Sequence, residues 1–558
     1  MPSLDDFRYE IRRRTRRVRY AFEDLAYAAR RGARRTSSGE GGSRSPLTLR
    51  SRNRLVGILA VLLAAVAVAL LVVPRLPCQV PGGDECQPDD EAAALVPGDA
   101  AAYVHADVDR DTEQYERAAA LAERLPLVSD QLIERLPGPR GASIDYARDV
   151  APWLGGEAAL ALIPVGGEGG EATVLLEVGD EGGATRFVQR LAGRDPQTER
   201  YRDAELRRNG EVAVASVGGF VVVGPEGAVK RVIDVHAGER ALADSELARE
   251  ARDELPEPRL AELYLSARGA DDLLAPRGPL ASLEAFVNAR ATAGVGAAVV
   301  AGEEGLELDA HSVLDPEREK GAPGFFGALP SFEPALGGEV SDGALAYLAL
   351  GDPAGSIEGL LAQATAEAPA IAAGFEDVGE RLRAAGEVNL EDEVLPLLTS
   401  QVAVSVEPGR ASDGGAGVPY VSLIVDDIDE ERAKRTLAGL PERGLQISPT
   451  VNLSYAVLDG KLVVSTNPLG VTHLGSDEPS LDGSERFAAA TEGFPDELSA
   501  LAYLNLGGLI GLAEQLGLGA DPAYARFSQE FRRLEALGVA VERHDEAIDT
   551  RIRLTVGE

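Results

Sequence analysis

Residues 214–223 read VASVGGFVVV, and residues 455–464 read YAVLDGKLVV. Each stretch is a pair of short apolar runs broken by a dipeptide, Gly218-Gly219 or Asp459-Gly460, that accepts the positive φ a two-residue hairpin turn needs. Four more segments recur around them in the same order, as expected of an internal repeat. Residues 149–162 (DVAPWLGGEAALAL) match 393–406 (EVLPLLTSQVAVSV) without a gap, and 173–193 resemble 421–439. Further on, 262–274 resemble 502–512, and the ends at 297–313 and 539–554 pair as two strands joined by an acidic turn.

The repeated segments define the expected fold class: α+β, two tandem homologous units of antiparallel sheet with interspersed helices. Helices are expected at 184–192 and 428–437, each with acids near its start. In the last strand of the first unit Leu306, Leu308 and Ala310 alternate with Glu307 and Asp309. Ile548, Thr550, Ile552 and Leu554 do the same against Asp549, Arg551 and Arg553. That alternation predicts a strand with one wet face.

Outward from the repeat, the N-terminal region has a different character. Residues 55–73 read LVGILAVLLAAVAVALLVV, without a polar side chain. At about 1.5 Å per residue a helix of that length nearly crosses a ~30 Å hydrocarbon core. Arg50, Arg52 and Arg54 precede it and acid follows Arg75, which predicts a single span with the N-terminus in the cytoplasm. Residues 1–54 carry 15 arginines against 6 acids, whereas from residue 76 onward there are 39 basic and 85 acidic side chains. So acidic a region repels nucleic acid, which excludes a nucleic-acid partner for it.

The expected organisation is a basic amphipathic helix at 1–35, a linker at 36–54 and the span at 55–73. An extracytoplasmic juxtamembrane loop at 74–94, a first unit at 95–316, an inter-unit linker at 317–339 and a second unit at 340–558 follow. The basic helix can lie on an anionic inner leaflet or simply enforce topology. Cys78 and Cys86 bracket a Pro/Gly loop outside the membrane, where a disulfide can persist. Two idle thiols are the other reading. Phe325, Phe326 and Phe332 in the linker are candidates to dock on a unit. The Ala-rich helical insert at 357–385 reads as a lid, an arm or packing.

Motifs that carry chemistry are missing. There is no GxSxG, P-loop or GxGxxG after a strand. Asp107, Asp109 and Asp111 have the spacing that opens a calcium loop, but Thr112 stands where Gly is needed and Ala118 where a bidentate Glu belongs. The better reading is a strand ending at Val108, with Asp109 or Asp111 capping a helix. The histidines, His105, His236, His311, His473 and His544, show no ligand spacing. His311 reads as solvated, and His105 shares a strand face with Tyr103 and Asp107. Trp153, aligned with Leu397, reads as a core anchor. The acids at Asp426-Asp427 and Asp429-Glu430-Glu431 read as a solvated helix start. No catalytic residue, metal ligand or cofactor is therefore assigned.

Leu95-Val96-Pro97-Gly98-Asp99, followed by Ala102-Tyr103-Val104, resembles the opening of actinobacterial membrane-anchored proteins grouped as domain-of-unknown-function 3352. The preceding anchor, Gly-Gly-Phe-Val-Val-Val at 218–223 and the two-unit length are similar too, so the resemblance spans roughly 90–556. It implies an envelope location and no established activity. The expectation is a non-enzymatic, membrane-anchored binding or structural protein of the bacterial envelope, with a protein or lipid ligand unspecified. A carrier of a lipid or other apolar ligand would instead show a long apolar tunnel. An enzyme would show a cleft where Asp, His and Tyr converge.

Overall fold

The two glycine-bearing turns form the hairpins read from them. Gly218 and Gly219 have φ of 57° and 90°, and Asp459 and Gly460 of 50° and 75°. Val217 thereby faces Phe220, and Leu458 faces Lys461. The computed structural model of the chain describes residues 90–125, 146–166, 170–273, 291–319, 329–354, 389–398, 400–409, 417–438, 445–448, 451–472, 478–520 and 522–557, with isolated positions between 356 and 383. The basic tail, the apolar run at 55–73, Cys78, Cys86, Phe325, Phe326, His473 and nearly all of 357–385 lie outside the described residues. Among the described residues no helix is long and apolar enough to cross a membrane.

Among the described residues the chain mixes helices with strands around one large antiparallel sheet of nineteen strands. The first ten are β1 (Ala102–Asp107), β2 (Leu154–Pro164), β3 (Gly170–Val178), β4 (Gln197–Tyr201), β5 (Ala204–Asn209), β6 (Val212–Val217), β7 (Phe220–Gly224), β8 (Ala261–Ser266), β9 (Thr292–Ala301) and β10 (Gly305–Leu314). The rest are β11 (Ala346–Gly351), β12 (Gln401–Glu407), β13 (Tyr420–Val425), β14 (Leu445–Ser448), β15 (Val451–Leu458), β16 (Lys461–Ser465), β17 (Ala500–Asn505), β18 (Leu534–Arg543) and β19 (Ala547–Val556). In the first half the neighbours run β4-β5-β6-β7-β3-β2-β1-β8-β9-β10. In the second half the run is β14-β15-β16-β13-β12-β11-β17-β18-β19. The halves meet where β10 pairs antiparallel with β19.

Helices cover both sheet faces in the first half because both alternating sets of side chains are apolar. On β6 and β7, Ala213, Ala215, Val217, Phe220 and Val222 pack with α3 (Glu226–His236), which follows α1 (Glu113–Arg124) and α2 (Glu181–Ala192) in the chain. Val214 and Val221 point the other way, to Phe187, Val188 and Leu191 of α2. Each of those side chains stabilises the fold by about 1.5–3 kcal/mol through burial. Asp180 caps α2 by accepting from the N–H groups of Gly182 and Gly183. Trp153, 3% exposed, lies 5.1 Å from the Phe187 ring and donates its indole N–H to the Asp149 carbonyl at 2.7 Å.

Two short helices press on the sheet at glycines. α4 (Glu246–Asp253) brings the Ala251 carbonyl to within 1.8 Å of where a Cβ on Gly296 would lie. Beyond α5 (Glu430–Ala438), α6 (Glu485–Thr491) does the same at Gly538, where the Ala490 carbonyl would be 2.0 Å away. Both helices are capped by a serine, Ser245 and Ser484.

Four expectations need correction. The charged side chains of β10 and β19 do not form a wet face: Asp309 is 7% exposed, while Leu308 on the opposite side is 36% exposed. Acids on β10 meet arginines on β19, and this pairing permits their burial: Asp309 lies 2.6 Å from Arg551, and Glu307 3.3 Å from Arg553. His311 is not solvated either, since its side chain is 12% exposed and bound to Asp549 at 2.6 Å. The helix after β1 is capped by the Thr112 hydroxyl rather than by Asp109 or Asp111. Finally, the stretch read as the end of a loop before residue 95 is partly core: Ala92–Ala94 form a 3-10 turn with Ala92 and Ala93 buried. The linker residue Phe332 does dock, bridging to Leu498 and lying against Gly351.

Candidate functional site

The 3-10 turn Ala92–Ala94, with Ala92 and Ala93 buried, packs against β2, and its backbone N–H groups are the starting point of the site. Ala92 donates to one oxygen of Glu157 at 2.8 Å and Glu91 to the other at 3.2 Å. Ala93 donates to Asp90 at 3.1 Å. Asp90 also accepts the Tyr103 hydroxyl and pairs with the Arg252 guanidinium of α4. Arg252 reaches Glu262 on β8 as well, and Arg259 binds that same carboxylate at 2.6 Å. His105 lies on β1 directly opposite Glu262. Its Nε2 is 3.6 Å from Glu157 and has no hydrogen-bond partner among the described residues. The side chains of His105, Glu157 and Glu262 are 4%, 2% and 2% exposed, which shields them from bulk solvent.

Burial controls the electrostatics. Desolvation pushes the Glu157 carboxyl up to about 8, against the backbone N–H bonds that favour its charged form. Desolvation lowers His105, outweighing the pull of Asp90 and Glu262, so the imidazole is neutral at neutral pH. Asp90 goes the other way. Burial alone would raise it, but His105, Arg252 and the Tyr103 hydroxyl together hold it below the ordinary carboxylate value. Asp107, one register position along, is pushed up to about 6 by burial, and its side chain accepts the N–H of Asp109 in a local turn. Asp109 does likewise for Asp111, so those three acids shape a turn rather than converge on a point.

The second half offers an internal control. Tyr103 faces Tyr264 across β1 and β8, and Tyr347 faces Tyr503 across β11 and β17. Counting from those pairs, Gln401 takes the place of Glu157, Ala349 that of His105 and Leu501 that of Glu262. Gln401 repeats the hydrogen bonding of Glu157: its side-chain oxygen accepts the N–H groups of Ala335 at 2.8 Å and Leu336 at 3.0 Å. Holding the turn therefore needs only an oxygen. The ionisable groups of the first half go beyond that structural requirement.

Sequence spacing could not reveal this cluster. Of its members only His105 and Tyr103 stood out, for sharing a strand face. Asp90, Glu157, Arg252, Arg259 and Glu262 are brought to them by sheet register and by α4. The available signal was position-by-position comparison of the recurring segments 149–162 and 393–406, which sets Glu157 against Gln401. The other described histidines lie elsewhere: His236 ends α3, while His311 and His544 both contact Asp549 at the seam.

Crystal forms I and IV of TP0453 are similar at TM-scores of 0.25 and 0.26, with 9% and 11% identity. Each match covers 40% of this chain, and 79% and 81% of theirs. That likeness is too distant to bear on fold or function. No curated protein matches the chain. A family model described as "Protein of unknown function (DUF3352)" matches residues 55–448, most of the chain, and the chain belongs to that family.

Proposed function

We propose that the chain is a single-pass membrane protein of a bacterial envelope whose outer region, two tandem copies of one α+β unit, is a non-enzymatic binding or structural platform. The observation that carries this reading is the pairing of β10 with β19, which makes the sheets of both halves one continuous surface. A broad sheet braced by helices suits recognition of a large partner. The Asp90–Arg252–Glu262 cluster is paired internally and buried instead of lining an open cleft. Tandem copies are supported by the repeated succession of strand pairings and by the Tyr–Tyr pairs at matching registers.

The anchor is supported by the apolar run at 55–73, its arginine flank, and the start of the family match at residue 55. The basic tail then contacts the inner leaflet. In intact cells a membrane-impermeant maleimide, applied after reduction, should label Cys78 and Cys86 without permeabilisation. Recovery of the full chain in the soluble fraction, or labelling only after lysis, would refute the anchored topology.

A carrier of an apolar ligand is the second reading, favoured by Leu308 and Val421, aliphatic side chains on the sheet that are 36% and 42% exposed. Native mass spectrometry and lipid extraction of protein purified from its host decide between them. A clean apo mass supports the platform; a stoichiometric lipid establishes the carrier.

A further inference from the structure

We infer that Asp90, His105 and Glu157 form a binding site for one divalent first-row transition-metal ion, of the zinc type. One donor atom from each residue lies within 4.8 Å of the other two. The pair measured directly, His105 Nε2 and Glu157 Oε1, is separated by 3.6 Å. Ligands about 2.0–2.1 Å from a tetrahedral zinc stand roughly 3.4 Å apart, so the donors need to close onto the ion by about an ångström. An imidazole nitrogen with two carboxylates suits such an ion better than magnesium or calcium, which prefer all-oxygen sites.

Two observations separate this cluster from an ordinary group of acids. The first is His105 Nε2, whose residue is 3% exposed, which has no hydrogen-bond partner among the described residues and lies 3.6 Å from Glu157. A buried imidazole nitrogen left without a partner is unfavourable, and an ion supplies one. The second is the other half of the sheet. There the corresponding positions hold Ala349 and Gln401, and Gln401 still caps its turn. The fold does not require the imidazole or the second carboxylate, yet the first half buries both.

Charge and support fit as well. Asp90 and Glu262 are balanced by Arg252 and Arg259, and Glu157 would meet the cation as a carboxylate, releasing its proton as the ion binds. The Tyr103 hydroxyl and Ala93 N–H would orient Asp90, and the Ala92 N–H would orient Glu157, as outer partners do for metal-bound carboxylates. Three protein ligands leave a fourth position for water.

The test uses the full chain in detergent, stripped with a chelator and titrated with Zn2+ alone, with Co2+ as the spectroscopic probe. One equivalent should bind, and the cobalt form should show visible absorption of nitrogen–oxygen coordination without thiolate charge-transfer bands. His105→Ala and Glu157→Gln install the residues the second half already tolerates, so both variants should fold. Each should weaken Zn2+ binding by more than the roughly 10- to 100-fold cost of losing a supporting partner. Should His105→Ala misfold, Glu157→Gln and the wild-type titration still decide. Absence of Zn2+ binding by folded wild type, equal binding by wild type and variants, or thiolate bands in the cobalt spectrum would each overturn the assignment.

Discussion

His311 sits where the halves of the sheet meet, bound to Asp549 on the neighbouring strand. The hydrogen bond to Asp549 raises its pKa against the opposing effect of burial, and Glu254 and Glu250 at the end of α4 add to the rise. The folded chain therefore holds this proton more tightly than the unfolded one. The contact stabilises fully below the ordinary value of 6.5, and its contribution is lost as pH rises through the raised one. Thermal unfolding between about pH 6 and 8.5 should show wild type losing more stability than His311→Gln as pH rises; parallel slopes would show that His311 does not contribute to the pH dependence. Trp153→Ala should cost about 3–5 kcal/mol in chemical denaturation, because the indole fills the space against Phe187. Single residues were legible where chemistry is local. The turn dipeptides named their own φ angles and Trp153 its burial. Asp309 misled, since a strand sequence does not say which charges its neighbour will bring.

Helices and strands depend on contacts that a pattern of apolar residues only partly encodes. The hairpins followed from their turns, and the start of α5 at Glu430 lies near the predicted 428. The cap of α1 was assigned to an aspartate and belongs to Thr112, because Asp109 is spent on the backbone of Asp111. What periodicity could not show is how closely α4 and α6 approach the sheet. Gly296→Ala and Gly538→Ala should each lower stability by about 1–3 kcal/mol, since the obstructing atom is a helix carbonyl that cannot rotate away. Urea denaturation checks this. Unchanged midpoints would mean that the helices shift freely, and that the two glycines do not set their distance.

Among the described residues the halves are joined by the β10–β19 pair, by hydrogen bonds of Arg124 and Arg533 across the seam and by an apolar cluster shared by both, and this could not be read from the sequence. Each half ends in a strand whose alternation fits a free edge as well as a central position. With β10 and β19 both internal to the sheet, the halves should unfold together. Trp153 reports only on the first half, so its fluorescence and far-UV circular dichroism should give coincident transitions. Ile552→Pro removes a ladder hydrogen bond from β19, which should destabilise the join and pull the two transitions apart. Separate transitions in wild type would show that the join carries little cooperativity. The join also has a polarity. β10 presents Glu307 and Asp309, and β19 presents Arg551 and Arg553. Pairing β10 with another β10 would set acid against acid, and β19 with β19 base against base, both unfavourable across a ladder. Opposite charge thus keys the seam, favouring the pairing of β10 with β19 over the pairing of either strand with a copy of itself.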